Sequence, residues 1–172
     1  MKDPSTITLR AAEPGDLAAM VRAKHDAGVA AWPHILQPEL ISQLPFPERW
    51  SSAVTNPPAR THVLVAEQGG AVVAFAITRP SADDDADGQV GELDGFYAAP
   101  AVWGHGVGRA LLVAAVDALR EDGFSHATLW TAADNHRPRR IYETAGWRLD
   151  GTTRHRHLAG AEFDELRYRL RL

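Results

Sequence analysis

The chain has 172 residues, of which 45% are apolar and 23% charged, a composition typical of a globular domain and not of a disordered one. Its net charge of −4 argues against a general nucleic-acid binder, and the absence of cysteine excludes disulfides, thiolate nucleophiles and cysteine-based zinc sites. The sequence shows no signal peptide and no apolar run long enough to span a membrane. We therefore expect one cytoplasmic domain over residues 1–172 without a nucleic-acid or membrane partner.

Hydrophobic periodicity predicts the elements in chain order, and a glycine pair between two apolar runs is typical of a β-hairpin. The predicted strands cover residues 6–11, 61–67, 71–79, 90–98, 127–131, 147–154 and 162–170, and the predicted helices 14–31, 38–44, 47–54, 106–121 and 136–145. The fourth and fifth strands are joined by a helix, so they should be parallel. This order predicts an α+β fold with α/β/α layers, in which helices flank a mixed sheet of six or seven strands.

The acidic segment SADDDADG covers residues 81–88 and places four aspartates within five positions. Their mutual repulsion predicts a mobile surface loop that cannot pack. A calcium site is disfavoured because the segment lacks the spacing of an EF-hand and its bidentate glutamate.

The most informative segment is WGHGVG at residues 103–108, where three alternating glycines lie between a predicted strand and a predicted helix. Glycine permits positive φ and the close approach of a ligand. The start of a helix presents free N–H groups and a partial positive charge. The segment therefore predicts a cradle for a phosphate or pyrophosphate. It matches neither the P-loop pattern nor the dinucleotide fingerprint GxGxxG.

This segment resembles the acetyl-CoA signature Q/R-x-x-G-x-G/A of the GNAT superfamily of N-acetyltransferases, with Trp103 at the first position. Residues 135–147 are similar to the family's N-x-x-A-x-x-F-Y-E-x-x-G-F segment, with Pro138 in place of alanine. Residues 9–16 resemble the family's first strand and helix start, and residues 91–100 resemble its fourth strand. The resemblance therefore covers nearly the whole chain and implies the GNAT fold.

The resemblance implies an acetyl-CoA-dependent N-acetyltransferase in which a primary amine attacks the thioester directly. It makes Tyr142 the general acid, and it places the general base at Glu92 or Asp94, with Glu92 the first choice. These two carboxylates lie two residues apart on a strand and should share a face. The alternative is a non-catalytic acyl-CoA-binding regulatory domain on the same fold. The acceptor stays open between a small amine metabolite, an amine-bearing antibiotic and a protein amine.

The resemblance also implies which residues hold acetyl-CoA. The backbone of residues 96–98 would pair with the pantetheine arm, and the glycine turn would hold the pyrophosphate. A basic run at residues 137–140 is a candidate for the 3′-phosphate of CoA, or else a solvated helix face. The predicted acetyl-CoA-binding residues are Phe96, Tyr97, Ala98, Trp103, Gly104, His105, Gly106, Val107, Gly108, Arg109, Asn135, Arg139 and Tyr142.

The segment between the first two helices is implied to line the acceptor pocket through Trp32, His34 and Leu36, although Trp32 fits an ordinary core equally well. A homodimer stays open, because many members of the family are dimers.

A metal site is considered at His155 and His157, which share a face of a predicted strand. The interleaved Arg154 and Arg156 should make this surface electropositive, so no metal is predicted.

Overall fold

The computed structural model describes residues 6–172, which contain a single mixed β-sheet. Its strands are β1 (Ile7–Ala11), β2 (His62–Gln68), β3 (Ala71–Pro80), β4 (Val90–Ala98), β5 (His126–Ala132), β6 (Arg148–Leu158) and β7 (Ala161–Arg171). They lie in the order β1-β2-β3-β4-β5-β7-β6. β4 and β5 are parallel and the other neighbours are antiparallel. The predicted mixed sheet is confirmed with seven strands.

The α-helices of residues 6–172 are α1 (Leu17–Ala31), α2 (Pro38–Ile41), α3 (Glu48–Thr55), α4 (Val107–Glu121) and α5 (His136–Thr144). The helix predicted from Pro14 begins with a 3-10 turn at Pro14–Asp16 before α1. In this turn the side chain of Asp16 accepts a hydrogen bond from the backbone N–H of Glu13 (2.8 Å) and pairs with Arg10 (2.7 Å). None of the helices in this part of the chain has the length and apolar character that crossing a bilayer requires.

The two faces of the sheet bury separate apolar clusters, because alternate residues of a strand point to opposite faces. One cluster joins the sheet to α4 and to Tyr142 of α5. The other joins the opposite face to α1 and α3, with Phe75 of β3 in contact with Trp50 of α3. Helices on both sides of the sheet give the predicted α/β/α layers.

β4 and β5 separate after a short parallel pairing, which leaves a gap in the middle of the sheet. The pairing covers only residues 90–92 of β4 with residues 126–128 of β5. Beyond it β5 pairs with β7, while β4 keeps β3 on its other side. The N–H of Ala99 donates to the carbonyl of Val73 (2.8 Å) and so points toward β3. Because the backbone groups of successive residues in an antiparallel strand point alternately toward and away from the neighbour, those of Phe96 and Ala98 face away from β3. Part of β4 therefore presents an open edge to the gap.

The acidic loop at residues 81–88 packs against the sheet, which corrects the prediction that it cannot pack. Asp83 accepts hydrogen bonds from the indole nitrogen of Trp130 (2.8 Å) and from the guanidinium of Arg167 (3.2 Å). Arg167 is buried, and it also pairs with Asp85 (2.6 Å) and Asp150 (2.7 Å). One buried positive charge thus offsets the repulsion among the aspartates.

Candidate active site at the gap between β4 and β5

The glycine turn brings the start of α4 to the gap, and two of its glycines are required by backbone conformation. Gly104 and Gly106 have φ values of 81° and 83°, in the left-handed region that other residues rarely adopt. Gly106 is the residue immediately before α4. Gly108 differs, because its φ is not positive and an added Cβ would lie 3.7 Å from Phe96, an ordinary contact.

The first turn of α4 presents unpaired backbone donors. The first helical hydrogen bond runs from the N–H of Ala110 to the carbonyl of Gly106 (3.0 Å). Within residues 6–172, the N–H groups of Val107, Gly108 and Arg109 have no acceptor. The side chains of His105 and Arg109 are exposed beside them. Free N–H groups together with the positive end of the helix dipole are suited to an anionic ligand.

Trp103 fastens the glycine turn to the end of β4. Its indole nitrogen donates a 2.8 Å hydrogen bond to the carbonyl of Ala98. The guanidinium of Arg137, at the start of α5, lies 4.5 Å from the centre of the indole ring. Trp103 therefore links β4, the glycine turn and α5.

Two polar side chains of the α5 region lie beside the gap. Asn135 precedes α5 and is 9% exposed, and its amide has no hydrogen-bond partner among residues 6–172. It lines a cavity of about 230 Å³ together with Trp103 and Arg137. An amide with unused donors and acceptors at a cavity can bind a ligand.

Tyr142 lies two helical turns after Asn135, and its ring is enclosed by aromatic neighbours. The ring centres of Phe96, Trp147 and Tyr168 lie 5.9, 6.4 and 6.0 Å away. Burial raises the pKa of Tyr142 well above its ordinary value, with small additions from Tyr97 and Tyr168. The phenol is therefore protonated throughout the neutral range, as a proton donor must be.

A bulge in β4 determines which side chains face α1 and α3. Ile77 pairs with Gly95 and Thr78 with Leu93, so Asp94 is an extra residue in β4. A Cβ added at Gly95 would lie 3.0 Å from Trp50 of α3, which places Gly95 on that face. The bulge therefore keeps Glu92, Asp94 and Tyr97 on the same side of the sheet.

Glu92 is a buried carboxylate with incomplete hydrogen bonding. It is 7% exposed, and its Oε2 lies 2.9 Å from a guanidinium nitrogen of Arg79, but the angles are not those of a hydrogen bond. Burial raises the pKa of Glu92, the positive charge of Arg79 opposes the rise, and the charges of Asp94 and Asp83 add to it. Glu92 therefore takes up a proton more readily than an exposed glutamate does.

Asp94 is in the opposite situation, because several donors satisfy its carboxylate. It accepts hydrogen bonds from Arg49 (2.9 and 3.0 Å) and from the indole nitrogen of Trp50 (2.6 Å), and Arg79 lies 3.2 Å away. Burial alone would raise the pKa of Asp94, but the hydrogen bonds from Arg49 and Trp50 and the charges of both arginines lower it below its ordinary value. Such a carboxylate holds its charge and is a poor proton acceptor.

The three predicted acceptor residues lie in different places. Trp32 lines a second cavity, of about 190 Å³, between α1 and β4, and its ring centre lies 6.1 Å from that of Phe163. His34 lines the cavity beside Asn135, and its Nε2 lies 3.0 Å from the carbonyl of Asp134. Leu36 is buried and lines neither cavity.

Arg139 and its neighbours do not form one basic surface. Arg139 donates to the carbonyl of Ala133 (2.6 Å) and to the hydroxyl of Tyr168 (3.0 Å), so two of its nitrogens bond within the protein. Arg137 lies on Trp103, and Arg140 is exposed. Arg139 therefore holds α5 against the sheet. This role could not be predicted from the sequence, because Tyr168 lies far along the chain.

His155 and His157 lie on β6 opposite acidic residues of β7. His155 pairs with Asp164 (2.7 Å) and His157 with Glu162 (3.0 Å), and ligand atoms of the two histidines and Glu162 lie within 4.8 Å of one another. The argument that this face is electropositive is therefore wrong. The two interleaved arginines turn to the other face, where Glu165 pairs with both Arg154 and Arg156.

Comparisons with known proteins agree with this fold. A family model described as the Acetyltransferase (GNAT) family matches residues 17–147. A probable N-acetyltransferase of Mycobacterium tuberculosis is 28% identical over 97% of this chain and 95% of that protein. The mycothiol acetyltransferase of Sanguibacter keddieii is 31% identical over 82% of this chain, which spans 43% of that protein. The structure of yncA from Salmonella typhimurium with acetyl-CoA has a TM-score of 0.75 at 22% identity, covering 96% of this chain and 94% of that one.

The family match includes the β4–β5 gap, the glycine turn and Tyr142, which together make up the candidate site. The chain therefore belongs to the acetyltransferase (GNAT) family, and it is an acetyltransferase. The predicted fold is confirmed by the shared architecture of the solved relative.

Proposed function

We propose that the protein transfers the acetyl group of acetyl-CoA to the amine nitrogen of a small acceptor. One observation carries this proposal: the open edge of β4 leads directly to the unpaired N–H groups at the start of α4, with Tyr142 and Asn135 beside the same gap. A long ligand with an anionic centre and an amide-bearing arm fits this arrangement, because the helix start binds anions and a strand edge binds amides.

The residues present fit acetyl-CoA. The backbone of Val107, Gly108 and Arg109 would hold the pyrophosphate, with His105 beside it, and the backbone of residues 96–98 would pair with the pantetheine arm. Asn135 supplies an amide with no partner of its own in residues 6–172. The role of Arg139 toward the 3′-phosphate stays a prediction, and two of its nitrogens already donate to Ala133 and Tyr168.

Acetyl-CoA supplies the acetyl group as a thioester, so that an N–C bond to the amine forms as the C–S bond breaks and one proton passes from nitrogen to sulfur overall. Tyr142 holds a proton on its phenol oxygen, and its raised pKa keeps that proton available at neutral pH. In our proposal Tyr142 is the general acid that protonates the leaving sulfur. The aromatic residues around it exclude water and fix the orientation of the ring.

We assign the general base to Glu92 rather than to Asp94. The raised pKa of Glu92, and an Oε2 that accepts no hydrogen bond from residues 6–172, suit a group that accepts a proton from the amine, directly or through water. Asp94 is held by Arg49 and Trp50 and has a lowered pKa, so we assign it the structural role of joining α3 to β4. Removal of the amine proton during attack is what makes a nearby base useful.

The remaining expectations stay predictions. These are one domain over residues 1–172, a cytoplasmic location and the absence of a membrane or nucleic-acid partner, with a homodimer still open. A small acceptor is favoured over a protein acceptor by the volume of the cavity at Trp32, about 190 Å³. That volume is below the roughly 300 Å³ at which sites for drug-sized ligands begin.

The experiment that tests the proposal combines CoA binding with thiol release from acetyl-CoA in the presence of amines. Acetyl-CoA and CoA should raise the melting temperature and ATP should not, and a ligand at 100 times its Kd adds about 2.7 kcal/mol of stability. Tyr142→Phe should lower kcat and leave the Kd of CoA unchanged. Tyr168→Phe is the matched control, because it removes the hydroxyl of a neighbouring buried tyrosine that bonds to Glu143 instead.

Two results would contradict the proposal. If neither CoA species changes the melting temperature at millimolar concentration, the assignment of the co-substrate fails. If CoA binds but no amine releases thiol, the alternative of a non-catalytic acyl-CoA-binding domain is favoured.

A further inference from the structure

The cavity between α1 and β4 is lined by aromatic and basic residues. Aromatic rings of Trp32, Phe46 and Tyr97 form part of its wall, and it has a volume of about 190 Å³. Apart from Tyr97, the titratable residues that line it are Arg22, Lys24 and His25, all on α1. Of the residues that the structure describes, no aspartate or glutamate lines the cavity.

Lys24 is the central residue, because it is half-buried and has no counterion among residues 6–172. Burial lowers the pKa of Lys24, and no carboxylate in residues 6–172 lies close enough to oppose that effect. Taking an ammonium group out of water without a partner is unfavourable, so buried lysines are normally paired. An anion bound at the cavity, which Lys24 lines, would therefore stabilise its charged form.

Two further basic residues, Arg22 and His25, line the same cavity. Arg22 makes no ion pair with any residue from 6 to 172, and it lies two residues before Lys24 on α1. His25 contacts Asp26 (2.9 Å) and Ser42 (3.1 Å). Asp26 contacts His25, so the cationic character of the wall comes from Arg22 and Lys24.

Tyr97 connects the cavity to the candidate active site. Its side chain lines the cavity, while the residues on either side of it, Phe96 and Ala98, present their backbone groups to the gap. A small molecule in the cavity would thus be separated from the gap by the thickness of β4. Glu92, the proposed general base, lies on the same side of the sheet as Tyr97, so the cavity and the base share one face of β4.

We propose that the acceptor is a free amino acid or a similarly small amine that carries a carboxylate, and that Lys24 and Arg22 bind this carboxylate while the aromatic wall receives an apolar side chain. This inference rests on the proposed acetyl transfer and adds the chemical class of the acceptor. A polyamine or a lysine side chain would bring a second positive charge to a wall that holds Arg22 and Lys24, for which the described part of the chain supplies no counterion. Such acceptors are therefore disfavoured by repulsion.

The test is calorimetric titration of matched pairs of compounds into the protein saturated with CoA. The probes are L-leucine, L-methionine and L-phenylalanine, each paired with the amine that remains when its carboxylate is removed. We expect at least one amino acid to bind at least tenfold more tightly than its paired amine, because a charge-assisted hydrogen bond contributes that much or more. Lys24→Met should abolish the difference, and Lys24→Arg should restore part of it.

A matched control removes one positive charge elsewhere. Arg171 is exposed at the end of β7 and does not line the cavity, so Arg171→Met should leave the difference between amino acid and amine unchanged. Three results would overturn the inference. The amino acids bind no more tightly than their paired amines, Lys24→Met keeps the difference in affinity between them, or none of the three amino acids binds.

Thiol release with the same compounds separates this inference from the function on which it rests. Acetyl transfer and the carboxylate preference are both supported if the amino acids are turned over with a lower KM than their amines. In that case Lys24→Met should raise the KM and leave kcat unchanged. Turnover of the amines alone overturns the inference and leaves acetyl transfer standing. If no compound releases thiol, the calorimetric ranking still decides whether the cavity selects a carboxylate.

Discussion

Glu92 and Asp94 contact the same guanidinium, that of Arg79, and yet their pKa values change in opposite directions. Arg79 lies 2.9 Å from Glu92 and 3.2 Å from Asp94. Both carboxylates are buried, so the difference comes from the additional donors, Arg49 and Trp50, which reach only Asp94. Of these two residues on one strand, Asp94 therefore stays charged and Glu92 tends to take up a proton.

We predict that neutralising these two carboxylates changes stability in opposite directions at pH 7. Asp94→Asn should lower the free energy of unfolding by about 2 to 3 kcal/mol, because it leaves buried donors without a charged acceptor. Glu92→Gln should raise it, by on the order of 1 kcal/mol, because it removes a charge that burial destabilises. Urea unfolding of the two variants and the parent protein measures both changes.

The pH dependence of these two changes follows from the pKa directions. A raised pKa in the folded state means that the advantage of Glu92→Gln is present at neutral pH and disappears as pH falls through the folded pKa of Glu92. A lowered pKa means that the stability from Asp94 is present above the unfolded value and is lost as pH falls through the folded pKa. Changes of the same sign for both variants at pH 7 would contradict the assigned roles.

A second prediction concerns the glycine turn. Gly106→Ala should lower the free energy of unfolding by about 1 to 2 kcal/mol, because alanine must adopt the left-handed conformation at φ 83°. Gly108→Ala is the matched control, since its φ is ordinary and it lies within α4. This control should be neutral or more stable by up to about 1 kcal/mol. Thermal unfolding distinguishes them, and equal losses would show that the turn does not impose the conformation.

The glycine turn and the gap show what could be predicted from the sequence. Glycine spacing before an apolar helix is a local pattern, so the residues immediately before α4 and the start of that helix were predicted within one residue. The bounds of β4, residues 90–98, were predicted without error. The partial separation of β4 and β5 was implied only by the family resemblance, because strand pairing depends on distant segments.

A third prediction concerns the acidic loop. Asp83→Asn should lower the free energy of unfolding by about 1 to 3 kcal/mol, because Asp83 is nearly buried and accepts from Trp130 and Arg167. The matched control is Asp85→Asn, whose side chain is 61% exposed although it pairs with the same arginine. The stability lost in Asp85→Asn should be clearly smaller than that lost in Asp83→Asn, because water screens the exposed pair. Chemical unfolding measures both, and a larger loss for Asp85→Asn would contradict the packing described.

The packing of this loop could not have been predicted from local pattern. Four neighbouring aspartates indicate repulsion, and the compensating charge, Arg167, lies on the last strand. The same limit applies to Asp94, whose partner Arg49 comes from α3, and to the cavity at Lys24, which needs α1 and β4 to be packed together. In each case residue type was visible in the sequence, and the partner was fixed only by tertiary structure.

The last prediction tests whether Trp103 positions the open edge of β4. Trp103→Phe removes the hydrogen bond to Ala98 but keeps an aromatic ring beside Arg137. A net hydrogen bond of about 1 kcal/mol corresponds to roughly fivefold in an equilibrium, so the Kd of CoA should rise by about that factor in calorimetry. Trp130→Phe removes the same type of donor, but from Asp83 and away from the gap, so it should lower the melting temperature and leave the Kd unchanged. Tighter binding in Trp103→Phe would mean that the indole competes with the ligand for the Ala98 carbonyl. Equal effects of the two variants on the Kd would mean that Trp103 does not hold the strand edge in place.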